Sequence, residues 1–167
     1  MLVVVISTVL VFAVVTVRLF VWPAQGMPAR VSAIVMLAGP GDRPPVALRL
    51  AEEHRAKVLV ISRDWSGHSG SCAPPMAGVK LICFYPDPEN TRGEAEFTGR
   101  LAKKYHWTSV VLVTSTAQDT RARVLVGRCF NGSVYVVTVP LAAADWPYQI
   151  AYQWGALIKA LIVHRGC

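Results

Sequence analysis

Five short apolar runs rich in β-branched residues punctuate the chain: Ser32–Gly39, Lys57–Ser62, Val79–Tyr85, Ser109–Ser115 and Ser133–Val139. Each is close to continuously apolar, the pattern of a strand buried on both faces. Helical patterns separate most of them, over Pro44–His54, Thr91–His106 and Ala117–Phe130, and a last helix is read over Trp146–Val163. In the second of these, Ala95, Thr98, Leu101, Ala102 and Tyr105 fall on one face, as helical periodicity requires. Gln153 and Lys159 interrupt the apolar surface of the last helix, so it is read as packed on the sheet and not as a membrane span. Strands alternating with helices predict an α/β domain with a five-stranded, mostly parallel sheet covered on both faces, three layers in all.

That domain does not begin at residue 1. Met1–Trp22 carries a single charge, Arg18, and about 20 apolar residues suffice to cross a bilayer as a helix. Trp22 and Pro23 read as an interfacial aromatic followed by a helix stop. Pro-Ala-Gln-Gly is a poor cleavage site, so residues 1–22 are read as a transmembrane anchor or uncleaved signal, 23–31 as a linker and 32–167 as the folded domain. The positive-inside rule would hold Arg18 and Arg30 in the cytoplasm, while the cysteines argue for the opposite side. The expectation adopted is a plasma-membrane protein with an extracytoplasmic domain.

Cys72, Cys83, Cys129 and Cys167 all lie outside the leader, and no CxxC occurs. Metal binding is therefore not expected. An even number suits two disulfides, for which three pairings exist. Cys72–Cys83 would close a short loop and Cys129–Cys167 would tie the C-terminal residue to a helix, and this pairing is favoured. The alternative is four reduced thiols in a cytosolic protein.

Apolar residues make up 53% of the chain and charged ones only 16%, with a net charge of +7 from 17 basic and 10 acidic residues. This excludes a disordered chain and favours anionic partners. The basic residues are dispersed, with neither a basic helix interleaved with aromatics nor zinc-finger spacing, so nucleic acid is not an expected partner.

Ligands of parallel α/β sheets bind beyond the carboxyl ends of the strands. Four connections belong to that rim: Gly39–Arg43, Arg63–Gly78, Pro86–Asn90 and Ser115–Arg121. In GPGDR, Gly39 and Gly41 would let backbone amides face an anion at a helix N-terminus, and Arg43 could grip a phosphate with two bonds. Asp42 could equally cap the helix. Asp64 echoes the acid of a dinucleotide site, but the third glycine is missing, and Pro40 and Pro44 remove amides, so no cofactor is expected. Thr91-Arg92-Gly93-Glu94 reads as a capping box with Thr91 as the cap. In TSTAQDTRA, Ser115, Gln118, Asp119 and Arg121 stand at the start of a helix, where Arg121 could clamp a phosphate or carboxylate. No histidine is local, so a nucleophile–histidine pair is not indicated. His54 and His106 look like helix ends, and His68 lies in the Gly/Ser/Pro-rich connection.

Three segments in order, GPGDR, ENTRGEA and LVTSTAQDTRA, resemble those of the YdcF/SanA/ElyC family, a bacterial envelope-associated family of poorly defined biochemistry, over about Ala33–Pro140. The ending YQWGALIKALIVHRGC looks like that of high-GC Gram-positive members. The resemblance implies a Rossmann-like fold, a membrane anchor and a role in envelope biogenesis. It carries Arg43, Asn90, Thr91, Glu94, Ser115 and Arg121 over as motif positions. Gln118 stands where the family has a histidine, and Arg63–Gly78 replaces a helix bearing a glutamate. Glu94 and Asp119 remain as candidate bases.

The expected function is thus a membrane-anchored envelope protein. Its rim would bind an anionic ligand, a small molecule or a lipid-linked envelope precursor, through Gly39, Gly41, Arg43, Asn90, Thr91, Ser115, Gln118 and Arg121. The alternatives are a non-catalytic envelope binding or assembly module and a cytoplasmic nucleotide-binding domain.

Overall fold

The computed structural model describes residues 1–63 and 72–167. Asp64 and His68, and with them half of the Arg63–Gly78 connection, lie outside the described residues. Helix α1 (Leu2–Thr16) runs on through a π-helical turn, Val17–Val21. The domain then proceeds β1 (Ala33–Met36), α2 (Arg43–Glu52), β2 (Val58–Ser62), β3 (Lys80–Phe84), α3 (Thr91–Tyr105), β4 (Ser109–Ser115), α4 (Asp119–Cys129), β5 (Ser133–Val139) and α5 (Trp146–Ile162). The strands form one sheet in the order β3-β2-β1-β4-β5. Every neighbouring pair is parallel, so the sheet is wholly and not mostly parallel.

The alternation of strand side chains divides the core. Ala33, Val35 and Leu37 point to one side, where α3, α4 and α5 contribute Ala95, Ala122, Leu125, Val126 and Ala160. Ile34 and Met36 point to the other, where α2 contributes Ala47, Leu50 and Ala51. Period-2 strands feeding period-3.6 helices on both faces make the doubly wound three-layer fold. Its chain order reverses between β1 and β4, which opens a crevice at their carboxyl ends.

Helix ends account for most differences from the sequence reading. α2 begins one residue before Pro44, and Asp42 stands at its N-cap position without a side-chain cap bond. His54 and His106 follow α2 and α3 with positive φ, the left-handed geometry that ends helices. α4 begins at Asp119, after a 3-10 turn over Thr116–Gln118. The capping box is corrected: Asn90, not Thr91, caps α3, its side chain accepting from the backbone N–H groups of Arg92 and Gly93.

Two disulfides staple the domain, Cys72–Cys83 and Cys129–Cys167, in the favoured pairing. Closing loops of this size stabilises by ~2–4 kcal/mol each. The linker also guards an edge. Gly26 forms an antiparallel bridge with Val136 of β5, and Arg123 donates to the carbonyls of Ala24 and Val134, so chain covers part of an edge strand that would otherwise offer free pairing groups.

Candidate ligand-binding site

A cavity of ≈ 360 Å³ opens at the crevice between the carboxyl ends of β1 and β4. Four elements build it. Ala38, Gly39 and Pro40 follow β1; Asn90, Thr91 and Glu94 begin α3; Gln118 and Arg121 begin α4; Tyr148, Gln149, Tyr152 and Gln153 come from α5. Five of the eight predicted ligand positions, Gly39, Asn90, Thr91, Gln118 and Arg121, therefore stand in its wall, together with the candidate base Glu94.

Glu94 is where the wall is chemically sharpest. It is buried, and its Oε1 accepts the Ala38 N–H at 2.6 Å. Burial pushes the carboxyl above the ordinary glutamate range. The Ala38 N–H, the nearby Ser62 hydroxyl and the charges of Arg43 and Arg121 pull it back only in part. Ser62 faces Glu94 without a well-formed hydrogen bond of its own. A carboxyl so placed gives up its proton less readily than a solvated one, the condition for acid–base work near neutral pH.

Arg121 is 8% exposed. Its Nε donates to Gln153 Oε1 at 2.9 Å, and its guanidinium lies 5.5 Å from the centre of the Tyr152 ring. Burial eases the loss of its proton relative to an exposed arginine, while Tyr152 and Glu94 oppose that change. In water-excluded surroundings the cation attracts an anion more strongly than it would at the surface. Gln153 in turn donates to Gln149 Oε1, so the guanidinium is held by an i,i+4 pair on α5.

Arg43 does something other than what the sequence predicts. Its side chain is turned inward and 1% exposed. It donates to the carbonyls of Leu37, Ala38 and Pro40, to Ser115 Oγ at 3.4 Å and to Gln118 Oε1 at 3.0 Å. The turn after β1 leaves carbonyls that no strand or helix pairs, and a guanidinium fork satisfies several at once. Gly39, at φ +122°, keeps that turn open: a Cβ there would stand 3.1 Å from Arg43 Nη2. Arg43, Gly41 and Ser115 thus sit behind the cavity wall. The order they impose reaches the site through Gln118, whose Nε2 donates to Thr91 Oγ1 at 2.9 Å. Asp119 turns away from the cavity and pairs with Arg123, with Nε to Oδ1 at 2.6 Å.

The α5 residues escaped the sequence reading. Gln149 and Gln153 are buried polar residues four apart on a largely apolar helix. That spacing was the available signal, because buried amides require partners. No group of three or more His, Cys, Asp or Glu that could hold a metal occurs among the described residues.

No family model, curated protein or solved structure matches the chain.

Proposed function

We propose that the chain is a membrane-attached, extracytoplasmic envelope protein whose rim cavity binds an anionic, phosphate- or carboxylate-bearing ligand. The observation that carries the reading is the meeting of buried Arg121 and buried Glu94 in one cavity at the switch point of the sheet. Arg121 is the anion contact, held by Gln153 and Tyr152. Thr91, oriented by Gln118, supplies a hydroxyl, and Glu94 supplies a proton donor or acceptor beside the bound group. Helix Leu2–Val21 is long and apolar enough to cross a membrane, and two disulfides accord with an oxidising compartment. A role in envelope biogenesis and a lipid-linked precursor as ligand follow from the resemblance to the YdcF/SanA/ElyC family.

The test is calorimetric titration of the full chain in detergent with inorganic phosphate and with a short-chain polyprenyl phosphate. Arg121→Gln is expected to abolish binding while the melting temperature stays near that of the parent. Unchanged binding in the variant would remove Arg121 from the site. Gln118, standing where the resemblance places a histidine, favours a second reading as a non-catalytic binding module. Turnover of a phosphorylated sugar or lipid-linked substrate by the purified protein would eliminate it.

A further inference from the structure

α5 is unusually apolar on its far side for a helix that faces water. Its inner face buries Leu157 and Ala160 beside the amides Gln149 and Gln153, and its outer face is apolar apart from Lys159 and the tyrosine hydroxyls. Beyond α1, eight large hydrophobic residues are exposed among the described residues, and six of them lie on α5 or directly after it. Ile158, Leu161 and Ile162 are 49%, 49% and 61% exposed. A soluble domain of this size rarely concentrates its exposed apolar area on one helix without something to cover it.

The position of α5 says what covers it. Trp154 of α5 stacks on Phe12, meets Phe20 edge-on and donates from its indole N–H to Thr16 Oγ1. Thr120 at the start of α4 donates to the carbonyl of Leu19. The domain is therefore fastened to the last turns of the apolar helix and not to a point beyond its end. The contacts of Trp154 run from Phe12 through Thr16 to Phe20, between nine residues and one residue before Val21, where the apolar run stops, which is about 14 to 2 Å along a helix. Interfacial helices bury their apolar face about 5–10 Å into the headgroup and acyl boundary, a depth that falls within that stretch.

The order of residues round α5 agrees. Turning from the side that holds α1, one meets Leu161 and Ile158, then Ile162 and Gly155 outermost, then Tyr148, Lys159 and Tyr152. Tyrosines and a lysine at the boundary are what an interface selects, since aromatic rings settle at headgroup level and long cations reach out of the acyl region. Arg18, near the end of the apolar run, can reach the same plane.

We propose that the outer face of α5 is seated in the bilayer that α1 crosses, so that the domain lies on the membrane with the Tyr148–Tyr152 side of the cavity at the headgroup plane. This deepens the proposed function and rests on its reading of α1 as a membrane span. It makes the lipid surface the partner of Ile158, Leu161 and Ile162, and it brings the mouth leading to Arg121 within reach of membrane-resident headgroups.

The experiment places one spin label at a time on the full chain, through Val9→Cys, Ile158→Cys, Ile162→Cys or Glu52→Cys, in vesicles of phosphatidylcholine and phosphatidylglycerol. Oxygen, which partitions into lipid, is expected to relax the Ile158→Cys and Ile162→Cys labels more than a water-soluble nickel chelate does, as for Val9→Cys. The order reverses for Glu52→Cys on α2. If both α5 labels behave like Glu52→Cys while Val9→Cys remains lipid-buried, the seat is overturned and the span stands. If Val9→Cys is also water-exposed, the span fails and the seat fails with it.

Discussion

The first turns of α3 and α4 each bury a carboxylate beside the same crevice, and the two environments differ in kind. Asp119, at the start of α4, has a cation in contact: Arg123 closes on it through Nε and Nη2, and the nearby Gln25 side chain of the linker also favours its charged form. Arg123 spends its remaining donors on Ala24 and Val134. The Asp119 pair is thus a fastener between linker, helix and edge strand. Glu94, at the start of α3, is as deeply buried, yet among the described residues no cation touches it: it has the Ala38 N–H, the nearby Ser62 hydroxyl and the field of Arg43 and Arg121. Both carboxyls are raised by burial, so a perturbed proton affinity alone does not distinguish a fastener from a reactive group. What distinguishes them is what each faces: both oxygens of Asp119 accept from Arg123, while Glu94 stands in the cavity wall.

The strongest way to break the comparison is to dislodge the turn that aims Glu94. A Cβ on Gly93 would stand 2.1 Å from the Pro88 carbonyl oxygen and 2.8 Å from the Asp87 carbonyl carbon. Those neighbours are backbone and cannot rotate away. Gly93→Ala is expected to cost about 3 kcal/mol, the upper part of the overpacking range, measured by urea denaturation. It should also weaken anion binding, because Asn90, Thr91 and Glu94 move together. Full stability would show that the α3 turn yields freely and that Glu94 is not held by it.

The next test removes the fastener. Arg123→Met leaves Asp119 buried without its cation and forfeits the two carbonyl contacts. Truncating one partner of a buried pair costs ~3–5 kcal/mol; with Arg123 31% exposed, about 2 kcal/mol is expected here. The loss has a sign in pH. With its cation gone, the native proton affinity of Asp119 rises further, so the deficit deepens as pH climbs above the ordinary aspartate range and shrinks in acid. A deficit independent of pH would assign the loss to the Ala24 and Val134 contacts alone.

Much of the fold was legible because its determinants are local. Each buried strand announces itself as a β-branched run, and β4 and β5 coincide with Ser109–Ser115 and Ser133–Val139. The disulfide pairing was favoured because Cys72–Cys83 closes a short loop and Cys129–Cys167 ties Cys167 to a helix. The site was less so, for two reasons that particular residues show. In Asn90-Thr91-x-x-Glu94, two adjacent residues can each cap a helix. Moving the cap by one residue turns Glu94 by about 100°, from a reciprocal cap to a buried acceptor for Ala38. In GPGDR, a sequence shows an arginine after a glycine turn but not which carbonyls the turn leaves unpaired, and these claimed Arg43 before any ligand could. Non-local partners, 75 residues apart for Arg43 and Gln118, have no signature in either segment.

The smallest expected effect is the most discriminating. Glu94→Gln keeps the shape of the side chain and the oxygen that accepts the Ala38 N–H, and removes only the charge. Because the native carboxyl holds its proton above the ordinary range, the folded state binds more protons than the unfolded one between the two values. Parent stability therefore falls as pH rises through that interval. Below it both forms are neutral and the variant should match the parent. Above it the variant should be more stable, a shift in the sense opposite to Arg123→Met, read as a rising gap in melting temperature from acid to neutral pH. Proteins keep such destabilising groups where chemistry needs them, so the same variant should lose any turnover while retaining anion binding through Arg121. A variant less stable than the parent at neutral pH would mean that the Glu94 charge is held, like that of Asp119, as part of the frame.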